Sequence, residues 1–390
     1  MFGSASRLAN ILCLDDLEAE ARRHLPRPVF GYVAGSSETG RSERGARSAY
    51  EDYVFRSRVL TDVSKRDMSV ELLGKRHAAP FGIAPMGISA LSGYRGDIAQ
   101  ARAAQAAGIP MALSGSSLIP LEEVIAAAPD TWFQAYVPGD MTRTAPLIER
   151  VAKAGYKTLV LTVDVPLLGG REHYIRAGFS TPLRPGLRLA FDGITHPRWL
   201  FGTFLRTFFK HGMPHFENSY ATRGAPILSR SVLRDFTARD HLSWTHFDEI
   251  RRLWPGKLVV KGILHPEDAT RARDRGADAL IVSNHGGRQL DSVMAPLHAL
   301  PEIVAAVPDL PVMIDGGIRR GTDVLTALAL GAKFVFIGRP FNYAASIAGE
   351  EGVTHVVNLL RAEIDRNMAM LGINDCRELH PEMLVRTAQG

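Results

Sequence analysis

The stretch "DALIVSNHGGRQLDS", residues 278–292, decides how the chain is read. Ala279 to Val282 form a short, continuous apolar run, as a strand covered on both faces requires. The run stops abruptly in Ser283, Asn284, His285, two glycines, Arg288 and Gln289. Strand ends in parallel α/β folds are where side chains and backbone groups face a ligand. A polar turn leading into the next helix is the plainer alternative, and the rest of the chain has to choose between the two.

Working outward, the same pattern recurs. "FGIAP" (81–85), "MALSG" (111–115), "WFQAYV" (132–137) and "TLVLTVD" (158–164) precede it, with "LVVKGI" (258–263) just upstream. "PVMIDGG" (311–317) and "FVFIGR" (334–339) follow "ALIVSNH" (279–285), which makes eight candidate strands. Between them lie segments with helical spacing, such as "DIAQARAAQAAG", "APLIERVAKAG", "PEDATRARDRG" and "GTDVLTALALG", each closing on Gly as a helix C-terminus does. Eight β–α repeats predict an α/β fold of the TIM (β/α)8 barrel type rather than an open doubly wound sheet. No GxGxxG opens a helix after the first strand, which also argues against the open sheet.

Two segments break the repeat. Residues 1–75 carry helical patterns ahead of the first strand and are expected to form a helical lid or floor over one barrel end. Residues 172–245 form a connection between the fourth and fifth strands that is far longer than such loops usually are, a sign of function or of mobility. With the barrel over 80–345 and C-terminal helices over 346–390, residues 1–390 read as one domain.

Composition bounds the function. The chain has 390 residues, 46% hydrophobic content and a net charge of +5, which suits anionic substrates or an anionic membrane surface. It carries no zinc-finger, RRM-like or basic-helix pattern, so nucleic acid is not an expected partner. Cys13 and Cys376 are the only cysteines, too few for a disulfide framework or a CxxC metal site, so no metal is expected and a reducing cytoplasm fits best. "NILCL" (10–14) runs at once into Asp15, Asp16, Glu18 and Glu20, which is neither a signal peptide nor a spanning helix.

The residues that close the strands share one character: Ser114, Gln134 and Tyr136, Thr162 and Asp164, Lys261, Ser283 and His285, Asp315, Gly338 and Arg339. Any one of them reads as a strand-end cap; together they mark the ligand-bearing face of a barrel. "DGGIRRG" (315–321) and "GRP" (338–340) place Gly316, Gly317 and Gly338 beside Arg319 and Arg339, a phosphate cradle where barrels commonly bind phosphate.

"SNHGGRQLD", with "LVVKG" upstream and "DGGIRRGTDVLTALALGA" and "FIGRP" downstream, closely resembles the FMN-dependent L-2-hydroxy acid oxidases and dehydrogenases, among them glycolate oxidase, bacterial L-lactate dehydrogenase and mandelate dehydrogenase. "LPRPVFGYVAGSSE", "APMG", "FQAYV" and "LTVDVPLLGGRE" extend the likeness over about residues 15–375. The resemblance implies an FMN enzyme. His285 would take a proton from substrate, and Asp164 would orient its imidazole and stabilise the imidazolium. Arg171 and Arg288 would clamp the substrate carboxylate, Tyr32 would add a hydrogen bond to it, and Tyr136 would contact the substrate oxygen. Lys261 would sit by the flavin N1–C2 edge; Ser114, Gln134, Thr162, Ser283 and the backbone from Ala84 through Pro85 to Met86 would meet the isoalloxazine. Asp315 would hold the ribityl chain, while Gly316, Gly317, Arg319, Gly338 and Arg339 would hold the phosphate.

The chain departs from glycolate oxidase where a bulky Trp gives way to Ser116 and where the flavin-facing loop reads Pro85-Met86-Gly87 rather than Pro-Thr-Ala. Both changes enlarge the pocket and point to lactate or a larger aryl or alkyl 2-hydroxy acid, with Leu168 and Met86 as walls. "HPRWLFGTFLRTFFKHGM" (196–213) combines aromatic and aliphatic residues with Arg198, Arg206 and Lys210 and no acid. It reads either as a basic amphipathic helix lying on a membrane or as a helix packed on the protein. The resemblance implies peripheral attachment to the inner face of the cell membrane, electrons passed to quinone or another respiratory acceptor, and a tetramer. The alternatives are an oxidase that reduces oxygen to hydrogen peroxide and a non-catalytic FMN-binding module; the latter has no need of a base and two carboxylate anchors.

Overall fold

The computed structural model describes residues 7–231 and 239–387; residues 1–6 of the N-terminal segment, 232–238 of the long connection and 388–390 of the C-terminal segment lie outside the described residues. The eight apolar runs form β1 (Phe81–Ile83), β2 (Ala112–Ser114), β3 (Trp132–Ala135), β4 (Thr158–Thr162), β5 (Lys257–Ile263), β6 (Ala279–Val282), β7 (Val312–Asp315) and β8 (Phe334–Ile337). Neighbours from β2 to β8 pair in chain order, β8 pairs with β1, and a parallel bridge between Ile83 and Met111 closes the ring. This is the (β/α)8 barrel that the repeats predict.

Every residue of β1 to β4 and of β6 to β8 is buried, since one face meets the barrel interior and the other the surrounding helices. Inside, Ala112, Trp132, Val160, Val259, Ile281, Met313 and Phe334 join one apolar cluster. A strand returns to the same face every second residue. Two positions further along six of those strands stand Ser114, Gln134, Thr162, Lys261, Ser283 and Asp315, while on β8 Phe336 stays in the apolar cluster. The polar layer is therefore the next pleat of the same strands.

The N-terminal segment is helical only in its first part, with helices at Asp16–His24, Arg27–Ala34 and Arg41–Ser48. Beyond them, Tyr53–Phe55 pairs with Leu384–Arg386, and Val70–Leu72 forms a hairpin with Lys75–His77. The expectation of a helical cover on one end needs correcting. Leu72 packs in the interior cluster with Trp132 and Phe334, which start their strands, while Tyr32 on the second helix lines the cavity at the opposite end. These extended pieces are three residues each, too short for periodicity to mark them.

The long connection holds helices at Glu172–Ala177 and Leu187–Ile194, then a helical run from Pro197 to His211 that widens into a π-helix over Leu200–Leu205. Residues 196–213 carry both a packed face and an exposed one. Trp199 is buried, stacks on Phe204 and donates its indole N–H to the Leu91 carbonyl at 2.7 Å. Phe201 and Phe209 do point outward, and Leu187, Phe191 and Ile194 join them from the preceding helix at four- and three-residue spacing. Among the described residues no helix is long and apolar enough to cross a membrane.

Candidate active site

The polar ends of the strands and the glycine-rich loops enclose a cavity with about 1440 Å³ of empty space, open to solvent. In its wall is a dyad, with His285 lining the cavity and Asp164 behind it. Asp164, two residues beyond β4, accepts from His285 Nδ1 at 2.9 Å, and His285 Nε2 lies 3.2 Å from the Tyr136 hydroxyl. A carboxylate only accepts, so Nδ1 carries the proton and Nε2 keeps its lone pair towards the cavity. His285 adopts a left-handed backbone with φ of 59°, a conformation uncommon outside glycine that collects at functional sites. Gly262 lets the acid approach: it sits in the register shift between β5 and β6 with φ of 107°, and a Cβ there would lie 2.6 Å from Asp164 Cγ.

Burial pushes the His285 imidazole below its ordinary 6.5, against the pull of Asp164 and with help from Lys261 and Arg171. The Asp164 carboxyl falls below 3.8 because the charge and hydrogen bond of His285, with Lys261, outweigh a burial that acts the other way. A neutral imidazole beside an ionised acid is the state a base needs near neutral pH. Burial raises Tyr136 and takes Tyr32 up to about 12, so both phenols stay protonated donors.

Lys261 is the second buried charge. Its Nζ lies 2.9 Å from Asp315 and donates to Ser283 Oγ at 2.7 Å. Burial alone would depress the ammonium, but Asp315 and Asp164 hold it above its usual 10.5. The other Asp315 oxygen is buried with no hydrogen-bond partner among the described residues. Such an orphan acceptor fits a hydroxyl-bearing ligand.

Ala84, Pro85, Met86, Thr162, Lys261, Asp315, Gly316, Gly317, Arg319, Gly338 and Arg339 all line the cavity, as a flavin mononucleotide site requires. Ser114, Gln134 and Ser283 do not line it. They stand behind the lining: Ser114 donates to Gln134, Gln134 to Thr162, and Lys261 to Ser283. The donor set fits FMN along its length: a cation with hydroxyl and amide partners at one end, an orphan acid in the middle, and glycine loops with two guanidiniums at the other. Arg339 donates to the carbonyls of Val33, Gly35 and Gly286, while Arg319 lies 3.7 Å from Asp15.

Arg171, Arg288 and Tyr32 converge on the remaining wall, but both guanidiniums are more occupied than a bidentate clamp implies. The two Nη atoms of Arg288 donate to the carbonyls of Val33 and Gly35 at 3.0 Å and of Tyr32 at 2.7 Å, and also to the Tyr174 hydroxyl. Arg171 donates to the Arg288 carbonyl at 3.3 Å, to Gln289 at 2.7 Å and to the same Tyr174 hydroxyl at 3.3 Å. The expectation of a free fork on Arg288 is corrected accordingly. Tyr32 reaches this wall because Gly31 lets its helix press on Glu172–Ala177, where a Cβ would come within 2.4 Å of Ala177 Cβ.

Sequence reasoning missed Tyr174, Phe179 and Arg239, all in the cavity wall. They fall on the irregular long connection, where neither periodicity nor strand position marks a residue. Leu168, Met86 and Ser116 line the cavity as expected.

Residues 21–386 match the family model described as FMN-dependent dehydrogenase. The chain is 37% identical to (S)-mandelate dehydrogenase of Pseudomonas putida over 376 residues, which cover 96% of this chain and 94% of that protein. It is 40% identical to L-lactate dehydrogenase of Caulobacter vibrioides over 378 residues, covering 95% and 96%. The crystal structure of the monotopic membrane protein (S)-mandelate dehydrogenase superposes with a TM-score of 0.87 at 36% identity, over 97% of this chain and 100% of that one.

Proposed function

The chain belongs to the FMN-dependent dehydrogenase family, and from that premise we propose that it oxidises an L-2-hydroxy acid of the lactate or mandelate type to the 2-oxo acid. The observation that carries the reading is the His285–Asp164 dyad facing Tyr136 beside two guanidiniums in one cavity. Bound FMN supplies the acceptor for the two electrons.

The chain's own residues do the rest. His285 Nε2 takes the proton released from the substrate, and Asp164 stabilises the imidazolium that results. Tyr136 hydrogen-bonds the substrate oxygen, and Tyr32, Arg171 and Arg288 seat the carboxylate. Lys261, kept charged by Asp315, sets a positive potential beside the electron acceptor. Ser114, Gln134, Thr162 and Ser283 orient that wall, and Gly316, Gly317, Arg319, Gly338 and Arg339 hold the phosphate.

Electrons pass on to quinone or another respiratory acceptor, with the protein bound peripherally to the membrane through Leu187, Phe191, Ile194, Phe201 and Phe209. The outward apolar stripe with Arg188, Arg198 and Lys210 on the same helices supports this. Replacing Phe201 and Phe209 by Glu abolishes sedimentation with anionic vesicles and leaves turnover with a soluble dye intact; retained sedimentation would remove the stripe from this role.

The deciding experiment is an anaerobic absorbance titration of the purified protein with L-lactate, D-lactate, glycolate, L-mandelate and a long-chain L-2-hydroxy acid. Bleaching of a bound flavin by L-isomers only is the expected result. A flavin that none of them bleaches, or a protein that takes up no FMN, overturns the proposal. Reoxidation by oxygen as fast as by a quinone analogue would make it an oxidase instead.

A further inference from the structure

Resting on the reading of Arg171 and Arg288 as the carboxylate seat, we propose that Tyr174 is a further substrate-binding residue, whose hydroxyl joins the two guanidiniums and donates its own hydrogen to the substrate carboxylate. Arg288 Nη2 and Arg171 Nη1 both donate to that single oxygen. A hydroxyl has two acceptor lone pairs and one hydrogen. With both lone pairs taken by cations, Tyr174 can act towards a third group only as a donor. Hydrogen bonds in a chain polarise one another, so two cationic donors strengthen that O–H as a donor.

Much of the donor capacity on this wall is spent on the protein itself, so a further hydrogen adds to the seat. Both Nη atoms of Arg288 are engaged with Tyr174 and with three main-chain carbonyls, which leaves Nε as its nitrogen for a ligand. Arg171 spends Nε on the Arg288 carbonyl and part of Nη2 on Gln289. A carboxylate offers about four acceptor sites, and the hydrogens left on the guanidiniums serve it better with a phenol beside them. The ring is fixed for the task. It stacks on Tyr32 with centroids 5.5 Å apart, meets Phe179 edge-on at 5.2 Å, and lies under both guanidinium carbons at 5.3 and 5.7 Å. Tyr174 also lines the cavity and is only partly buried.

The test compares holoenzyme with Tyr174→Phe, which keeps the stack and removes the oxygen. Oxalate, a redox-inert carboxylate, is titrated against the absorbance of the bound flavin, and KM and kcat are measured with L-lactate and L-mandelate. A hydrogen bond to a charged group is worth enough for a loss of roughly 10-fold or more in oxalate affinity, with a matching rise in KM and the smaller share of the loss in kcat. In an Arg171→Lys background the effect of Y174F shrinks below about 3-fold, because the two groups act as one unit. A merely looser fold would give the full ratio in both backgrounds, and that result overturns the proposal, as does Y174F binding oxalate as tightly as the parent while R171K binds it weakly. If Y174F does not fold, Tyr174→His keeps a ring and displaces its polar atom, and the same loss is expected of it; unchanged binding there overturns the proposal. A parent protein that neither binds oxalate nor is bleached by any 2-hydroxy acid overturns the proposed function itself, and this inference with it.

Discussion

The barrel interior is two regions one pleat apart. Ala112, Trp132, Val160, Val259, Ile281 and Met313 form an apolar layer sealed by Leu72, and the next inward residue of each strand is polar: Ser114, Gln134, Thr162, Lys261, Ser283 and Asp315. About 6.6 Å along a strand separates a layer whose work is packing from one whose groups are hydrogen-bonded or ion-paired. The difference shows how a barrel keeps a charged site from costing it the fold: the penalty of buried charge is confined to one layer in which nearly every group has a partner, and the layer beneath is left dry.

Breaking the polar layer at its reactive atom has the largest expected effect. His285→Gln lowers the rate of substrate-driven flavin bleaching by about 10³-fold and leaves the flavin bound, measured by anaerobic stopped flow. Bleaching within tenfold of the parent would sink the assignment of His285 as base.

Breaking the buried charge pair tests the partner rule. Lys261→Met leaves the Asp315 carboxylate buried beside an apolar chain and lowers stability by roughly 3–5 kcal/mol. Adding Asp315→Leu recovers much of that loss, because removing both charges avoids the uncompensated one. Thermal denaturation of the two variants decides it; a double variant no more stable than the single one contradicts the argument.

Breaking the apolar layer has a different signature. Phe334→Ala, which opens a cavity under the site, costs about 3–5 kcal/mol and leaves the acid limb of kcat/KM where it was. A displaced limb would show that the two layers are coupled.

The smallest effects come from pH. Because burial lowers the folded His285 below its ordinary 6.5, the acid limb of kcat/KM is centred below pH 6.5 and falls tenfold per pH unit once the imidazole is protonated. Stability has its own window. Burial takes His24 and His77 down to about 4, so between pH 6.5 and 4 the unfolded chain binds protons the folded one refuses. The contribution of these two histidines to stability therefore declines as pH drops through that interval and changes no further beneath it. An acid limb centred above 6.5 would remove the burial argument.

The apolar layer and its polar edge were legible because a parallel strand buried on both faces writes itself as a short apolar run, and the run's end is a place in the fold as well as in the sequence. Asp164 and His285, 121 residues apart, could thus be assigned to the same barrel end before any distance was known, although β5 stands between their strands. The Arg288 seat was legible only in part. That its Nη atoms would be taken up by carbonyls of residues 32 to 35 follows from a helix folded across the barrel mouth, and nothing local to Arg288 announces it.

The outer surface repeats the lesson. Trp199 and Phe201 are two residues apart in one aromatic stretch, yet Trp199 is 5% exposed and Phe201 66%. Composition marked the stretch as apolar and basic; only the packing of its helix against Leu91 decided which residues were left outside.

What the sequence determined by itself is the eightfold repeat, the face on which the site lies and the identity of the groups gathered there, because strand periodicity and strand ends are local properties of the chain. What only the tertiary structure decided is which donors remain for a ligand, how Tyr174 joins two arginines, and which half of an amphipathic helix faces out. Those depend on contacts such as that of Tyr174 with Arg288, 114 residues apart in sequence, and no local pattern of side chains encodes a partner at that distance.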